Sequence, residues 1–596
     1  MKGEALMTRT FCNPLDLPYR YQDKIAPGKQ AEWVFREAAD PTVIPWRGRY
    51  LLFASMSGGF WHSADLATWS FTPTPELPCE DYAPDVRVID GAVVFCASRR
   101  GSTCTFFRSV DPLTQPFKPV AATMEFWDPD LFQDDDGRVY LYWGCSSIEP
   151  VWGVELDRAT FAPLGEPVAL IAEHEDAHGW ERKGENNHLD EPKTEMERMV
   201  RAHTGTKPFI EGAYLTKHEG RYYLQYAAPG TECNVYADGV YVGEGPLGPF
   251  TYQAWNPFSS NPGGFMQGAG HGSTFEDAHG NWWHASTMRI SMNEKFERRI
   301  GLFPCSFDAE GTLHCDQRLA CYPQEVPEAP RAWNEDTAPA WMLLTAEPGA
   351  VASASSEAEG HGSALAVTED CRTWWAAAAD DADPWVQVDL GSIQRVRAIQ
   401  VNLADEAPRP LDAGEEAFTD SGAFFKRIIV TEDQPTRFLL ETSEDGTVWV
   451  PALDTRDGVS DRPHAYVDLR MARRVRYVRL AHIEAPLGGR AAVSGLRVFG
   501  EAPEGLARPA AVEVFSAART EGGLSAEIAW HPVAGATGYL VRYGLAPDKL
   551  YGSWEVADGA AGSLMLPTLN AGATYYVAVD AFNAAGVTHG EPVAVV

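Results

Sequence analysis

The sequence predicts an all-β protein led by a five-bladed β-propeller. Two observations carry that expectation. A turn followed by an aromatic-rich strand recurs five times: RGRYLLFAS (47–55), DGAVVFCAS (90–98), DGRVYLYWG (136–144), EGRYYLQYA (219–227) and HGNWWHAST (279–287). Each joins a Gly-centred turn to alternating or continuous apolar residues, which is the signature of a hairpin. The turn glycines stand at 48, 91, 137, 220 and 280, and the first two intervals are those of a four-stranded blade. The longest interval holds the charged AEHEDAHGWERKGENNHLDEPKTEMERMVRAH (172–203), read as an insertion carrying some helix.

The chain of 596 residues exceeds what one core sustains and predicts about three domains. No run of eighteen apolar residues occurs, so no membrane-spanning helix is expected. A formal charge of -34 argues against nucleic acid and anionic membranes as partners and fits a neutral ligand. The ten cysteines form no CxxC pair, which excludes an evident zinc site and favours a reducing compartment. MKGEALMTRTFCNPLDLPYRYQ lacks the apolar segment of a signal peptide. The expected location is therefore the cytoplasm, with secretion after removal of a signal as the alternative. Oligomeric state is left open.

Each repeat carries one ionisable residue six to nine positions before its turn glycine: Asp40, Asp85, Asp128, Glu211 and His271. Singly, an Asp before Pro reads as a turn residue. The shared phase suggests instead that five strand heads converge on the mouth of one axial channel. Glu211, set among Phe209, Ile210, Ala213 and Tyr214, would then face a shared site and not a core.

In order, ADPTVI, WDPDLFQDDDGRVYLYWG, IEGAYLTKHEGRYYL and GHGSTFEDAHGNWW resemble the motifs of family 43 glycoside hydrolases, over roughly residues 11–325. FWHSADLATWSF (60–71) is similar to a structural turn of that family. The resemblance implies a propeller enzyme that hydrolyses glycosides by single displacement with inversion. It makes Asp40 the general base, Glu211 the general acid, and Asp128 the residue that orients the acid and tunes its pKa. It makes His271 a channel histidine contacting a metal ion, often calcium, or its water shell, with no cofactor needed for the chemistry. An inverting site needs a base and a protonated acid on opposite faces of the sugar. Apolar neighbours and the Asp128 anion are expected to raise Glu211. Asp85, Phe60, Trp127 and Arg289 are the substrate-binding candidates, Phe60 and Trp127 as stacking faces.

The expected domains are 8–328 for the propeller, 341–502 and 508–596. VPEAPRAWNEDTAPA (326–340) reads as a linker. WVQVDLGSIQRVRAIQV, LLETSEDGTVWVPA and RRVRYVRLAHIE resemble a discoidin-type β-sandwich, although 405–427 is longer than usual there. AEIAWHPVAGATGYLVRYGLAP and ATYYVAVDAFNAAG resemble a fibronectin type III β-sandwich, with Trp530 and Tyr575 as core residues. In a cytoplasmic protein these modules are expected to pack on the propeller or to mediate oligomer contacts. The leading functional expectation is an exo-acting α-L-arabinofuranosidase on plant-type saccharides, with the insertion walling the pocket. A β-xylosidase, or a hydrolase of galactosidic or galactofuranosidic bonds, is the alternative within that chemistry. A non-catalytic sugar-binding propeller and an adhesion scaffold are the alternatives outside it.

Overall fold

The computed structural model describes residues 9–25, 31–77, 82–99, 101–335, 337, 339–410, 426–430 and 432–596. Between residues 39 and 315 five antiparallel sheets follow one another, each built mainly of four sequential strands. Their inner strands are Ala39–Trp46, Tyr82–Ile89, Asp130–Gln133, Glu211–His218 and Gln267–Glu276. Each inner strand touches the next, and the fifth touches the first, so the ring is closed. The five turn glycines of the sequence repeat all adopt φ between 68° and 84°, a region open to glycine and strained for most other residues. Arg9–Phe11 pairs with Gln324–Val326 and ties the first residues of this unit to its last.

The blades stick together through apolar side chains that alternate along each strand. Between blades one and two the cluster holds Ile44, Phe53, Phe60, Val86, Phe95 and Phe117. Phe60 thus departs from its expected role as a sugar platform. It is fully buried, and its ring stacks on Phe53 with centroids 4.7 Å apart. The reason is register: Phe60 and Phe53 are cross-strand partners, which puts both on the same blade face.

The insertion contains two short 3-10 turns, Gly179–Glu181 and Glu185–Asn187, and one helix, Glu195–Thr204. Its Trp180 plugs the core of blade four beside Tyr226. The Gly179 N–H and the Arg182 side chain bond carbonyls of Leu569 and Pro567 in the last unit.

Beyond the propeller lie two further β units. In the first, Val386–Leu403 and His464–Glu484 are long strands broken by register shifts in an eight-stranded sheet around one core. In the second, sheets built on Ala526–Trp530 and Tyr576–Asn583 enclose Trp530 and Tyr575. All three units meet in one apolar cluster that includes Cys12, Tyr322, Ala398, Phe499, Leu540 and Phe582. Lys426–Ile429 adds a strand to the edge of Arg20–Ile25, which itself pairs with Ala31–Glu37. Most of the long 405–427 segment, residues 411–425, lies outside the described residues. Among the described residues no helix is long and apolar enough to cross a membrane.

Candidate active site

Inner strands enter the mouth through a bulge. Pairing jumps from Ala39↔Ser55 to Thr42↔Phe53, from Tyr82↔Ser98 to Asp85↔Cys96, and from Glu211↔Ala227 to Tyr214↔Gln225. In blade five it jumps from Gly270↔Thr287 to Ser273↔Ala285. A bulge inserts a residue and re-aims its side chain. The inserted residues Asp40, Ala83, Gly212 and His271 carry positive φ of 52°, 51°, 62° and 48°, and Asp128, two positions before its strand, has 51°. Left-handed backbone is costly for non-glycine residues, and strain of this kind clusters at working sites.

Asp85 is therefore not an axial residue. It stands six positions before its turn glycine, where the other four stand eight or nine, and the equivalent place in blade two belongs to Ala83. Asp85 is buried between blades, accepting from Leu131 N at 2.7 Å and from Thr42 Oγ1 at 3.3 Å. Its distance from the bulge, not its residue type, removes it from the mouth. In blade four the carboxylate occupies the position before the strained one. Gly212 takes the strain, because a Cβ there would lie 2.7 Å from His271 Cγ.

Asp40, Asp128, Glu211 and His271 come together. His271 Nδ1 lies 3.4 Å from Asp40 Oδ1 and 3.7 Å from Asp128 Oδ2. Asp40 Oδ2 accepts from Ser55 Oγ at 2.7 Å, and Oδ1 faces Arg298 Nη1 at 3.3 Å and Thr287 Oγ1 at 3.4 Å. Glu211 Oε1 accepts from the Tyr236 hydroxyl at 2.5 Å, and Oε2 from Cys145 Sγ at 3.1 Å. Cys145 Sγ also lies within 4.8 Å of an Asp128 carboxylate oxygen.

The environment separates the carboxyls. Burial pushes Asp40 up, but Arg298, His271 and the Ser55 and Thr287 hydroxyls overcome it and hold Asp40 below the ordinary range. Burial raises Glu211, against His271, Tyr236 and Cys145, and the Asp40 anion adds to the rise. Burial, then the Glu211 and Asp40 anions, push Asp128 up to about 7 against the pull of His271. His271 is raised, because Asp40, Asp128 and Glu211 outweigh its burial. Burial and the two neighbouring carboxylates lift the Cys145 thiol well above its usual value, so it stays a donor. The chemistry within reach is a proton transfer between a charged carboxylate and a protonated one.

The donor set does not suit calcium, which takes six to eight oxygen ligands. His271 Nδ1 already faces two carboxylates, Asp40 at 3.4 Å and Asp128 at 3.7 Å. Among the described residues, the three groups whose ligand atoms lie within 4.8 Å of one another are Asp128, Cys145 and Glu211, a set with one protonated sulfur.

Trp127 is half-buried beside Asp128, and its carbonyl accepts from Gly144 N at 2.8 Å. Arg289 is buried at the end of Trp282–Arg289, donating to Gln267 Oε1 at 2.7 Å, the Glu232 carbonyl at 2.8 Å and Glu185 of the insertion. Sequence reasoning missed Cys145, Tyr236 and Arg298, and also a ring of hydroxyl acceptors. The bulge N–H of Asp40 donates to Thr287 Oγ1, that of Ala83 to Ser55 Oγ and that of Asp128 to Ser98 Oγ, each at 2.8 Å. The signal was present: three of the repeats end FAS, CAS and AST.

Fold and site together define an acid–base propeller, five blades around one mouth whose carboxyls differ in proton affinity. Residues 34–313, nearly the whole propeller, match the family model described as glycosyl hydrolases family 43. The chain is similar to a xylan 1,3-beta-xylosidase of Vibrio sp., 27% identical over 290 residues that cover 43% of this chain and 49% of the relative. It is 30% identical over 156 residues to a xylosidase/arabinosidase of Bacteroides ovatus, covering 23% of this chain and 43% of that one. The chain thus spans about half the length of the curated relatives it matches. Among solved structures, a glycoside hydrolase aligns over 77% of this chain and 97% of its own, with 18% identity and a TM-score of 0.44. A thermostable family-43 glycoside hydrolase aligns over 50% and 96%, with 22% identity and a TM-score of 0.39.

Proposed function

We propose that the protein is an inverting exo-glycosidase that releases a terminal pentose from plant-type oligosaccharides. Asp40 takes a proton from the attacking water, and Glu211 gives one to the leaving oxygen. Asp128 and His271 fix the geometry and the charge between them. The observation that carries this reading is the opposed treatment of two carboxyls in one mouth, Asp40 held low and Glu211 held high. That contrast is what a base and an acid need at one pH. A silent sugar-binding propeller has no use for it.

Two pentoses fit the proposal, α-L-arabinofuranose and β-xylose. The names of the relatives, xylosidase and xylosidase/arabinosidase, favour β-xylose at least as much as arabinofuranose. The insertion supports exo action, since its Glu185 is anchored on Arg289. The test is a panel of aryl arabinofuranoside, xyloside, galactoside and galactofuranoside, with proton NMR of the first-formed sugar. Hydrolysis of a pentoside with an inverted anomer is expected. Retention would overturn the single-displacement roles, and turnover of galactosides alone would overturn the pentose assignment.

A further inference from the structure

The second domain reaches the edge of the catalytic mouth through a chain of buried charges. Glu37 ends the strand Ala31–Glu37, three residues before Asp40, and is fully buried. Its Oε1 accepts from Arg298 Nε at 3.0 Å and from Arg298 Nη2. Its Oε2 accepts from Arg427 Nη1 at 3.0 Å. Arg298 spends its remaining Nη1 on Asp40 Oδ1 at 3.3 Å and Thr231 Oγ1 at 3.4 Å. Arg427 belongs to Lys426–Ile429, the strand that the second domain adds beside Arg20–Ile25, where it pairs with Lys24. Both guanidiniums lie over the Phe296 ring, 5.4 Å and 5.9 Å from its centroid, and both are 3% exposed or less. Two buried cations and two buried carboxylates thus alternate from the second domain to the proposed base.

We propose that Arg427 is a positioning residue: by holding one oxygen of Glu37 it keeps Arg298 on Asp40, so the second domain completes the catalytic site. The inference rests on the reading of Asp40 as the base. A buried carboxylate with two guanidinium partners shares its demand for donors between them. Deprived of one, it draws the other in, because an uncompensated buried charge is costly. Arg298 would close its fork on Glu37 and withdraw Nη1 from Asp40. The base would lose an orienting contact while the sugar-binding surface stays as it was. The loss belongs to kcat and not to KM.

The experiment uses the full chain and the aryl glycoside that the unmodified protein hydrolyses fastest. Arg427→Met is expected to lower kcat about tenfold with KM within about twofold, the size of effect that a small misplacement of a catalytic group produces. Arg427→Lys, which keeps the charge but not the fork, is expected within about threefold of the unmodified kcat. The decisive variant is Arg427→Met combined with Glu37→Gln. The neutral amide no longer claims Arg298, so the double variant is expected to turn over faster than Arg427→Met alone. A folded Arg427→Met with unchanged kcat overturns the inference, and so does a double variant no faster than the single, since simple loss of packing would add. If Arg427→Met does not fold, the same comparison runs with Arg427→Lys, whose smaller deficit Glu37→Gln must repair. A protein silent on every aryl glycoside overturns the glycosidase reading and the inference with it. Active protein with indifferent Arg427 variants overturns the inference alone.

Discussion

Asp128 and Asp130 stand two residues apart at the head of blade three, 4% and 0% exposed, and their partners differ in kind. Asp130 is saturated: Arg87 Nη2 donates to Oδ1 at 2.6 Å and Leu215 N to Oδ2 at 2.7 Å, which clasps blade two and blade four onto blade three. Asp128 faces groups that themselves exchange protons, namely His271, Cys145 and Glu211. Burial raises both carboxyls. Beside Asp130 a permanent cation opposes it, whereas beside Asp128 the opposing cation is a histidine. One Asp holds the propeller shut and the other lines the mouth. Burial of a carboxylate therefore says little about function until the proton affinity of its partners is known.

The largest expected effect separates the mouth from everything else. Glu211→Gln should lower kcat on natural glycosides about 10⁴-fold, the upper range for a general acid. It should lower it far less on aryl glycosides whose phenolate needs little protonation. Asp40→Asn should cost a comparable factor on both substrates while the melting curve stays that of the unmodified protein. Equal losses by Glu211→Gln on good and poor leaving groups would remove proton donation from its role.

The clasp should fail in the opposite way. Asp130→Ala takes from half-buried Arg87 its 2.6 Å partner and leaves it the Leu215 carbonyl at 3.1 Å and Asp85 at 4.0 Å, and loss of such a charged hydrogen bond costs about 2 kcal/mol of stability. Activity per folded molecule should survive. Asp128→Ala should do the reverse, and a crossed result in denaturant titrations and turnover would end the distinction. Phe60→Ala opens a cavity between blades one and two and should cost about 3 kcal/mol with KM unchanged. A raised KM at unchanged stability would return Phe60 to the sugar.

The smallest effect lies in the pH profile. Glu211 must be protonated to work, so its raised pKa extends activity upward, and kcat/KM falls as the pH climbs through the titration of the Glu211–Asp128 pair. Asp40 must be charged, so its lowered pKa puts the acid limb below the usual carboxylate range. The Cys145 thiol donates to the charged form of Glu211 and lowers it. Cys145→Ala should therefore move the basic limb to higher pH, and Tyr236→Phe should move it the same way. Asp128→Asn takes one carboxyl out of the Glu211–Asp128 pair and should move it to lower pH. A basic limb indifferent to all three would mean that Glu211 does not set it.

By itself the sequence determined the number of blades and the phase at which strands enter the mouth. Both follow from local rules: a Gly-centred turn needs positive φ, and a strand alternates its faces every two residues. Those rules put Asp40, Asp128, Glu211 and His271 at one end of four of the five inner strands. They failed at Asp85 and Phe60, because a bulge adds a residue that composition does not reveal and cross-strand register decides which face a ring takes. What only the tertiary structure decided is the company each carboxyl keeps. Arg298 reaches Asp40 across the ring closure between blades five and one, and Arg427 reaches Glu37 from 390 positions away in sequence. Proton affinity in a buried site depends on charges a few ångströms off, and only the closed fold brings those charges within that distance.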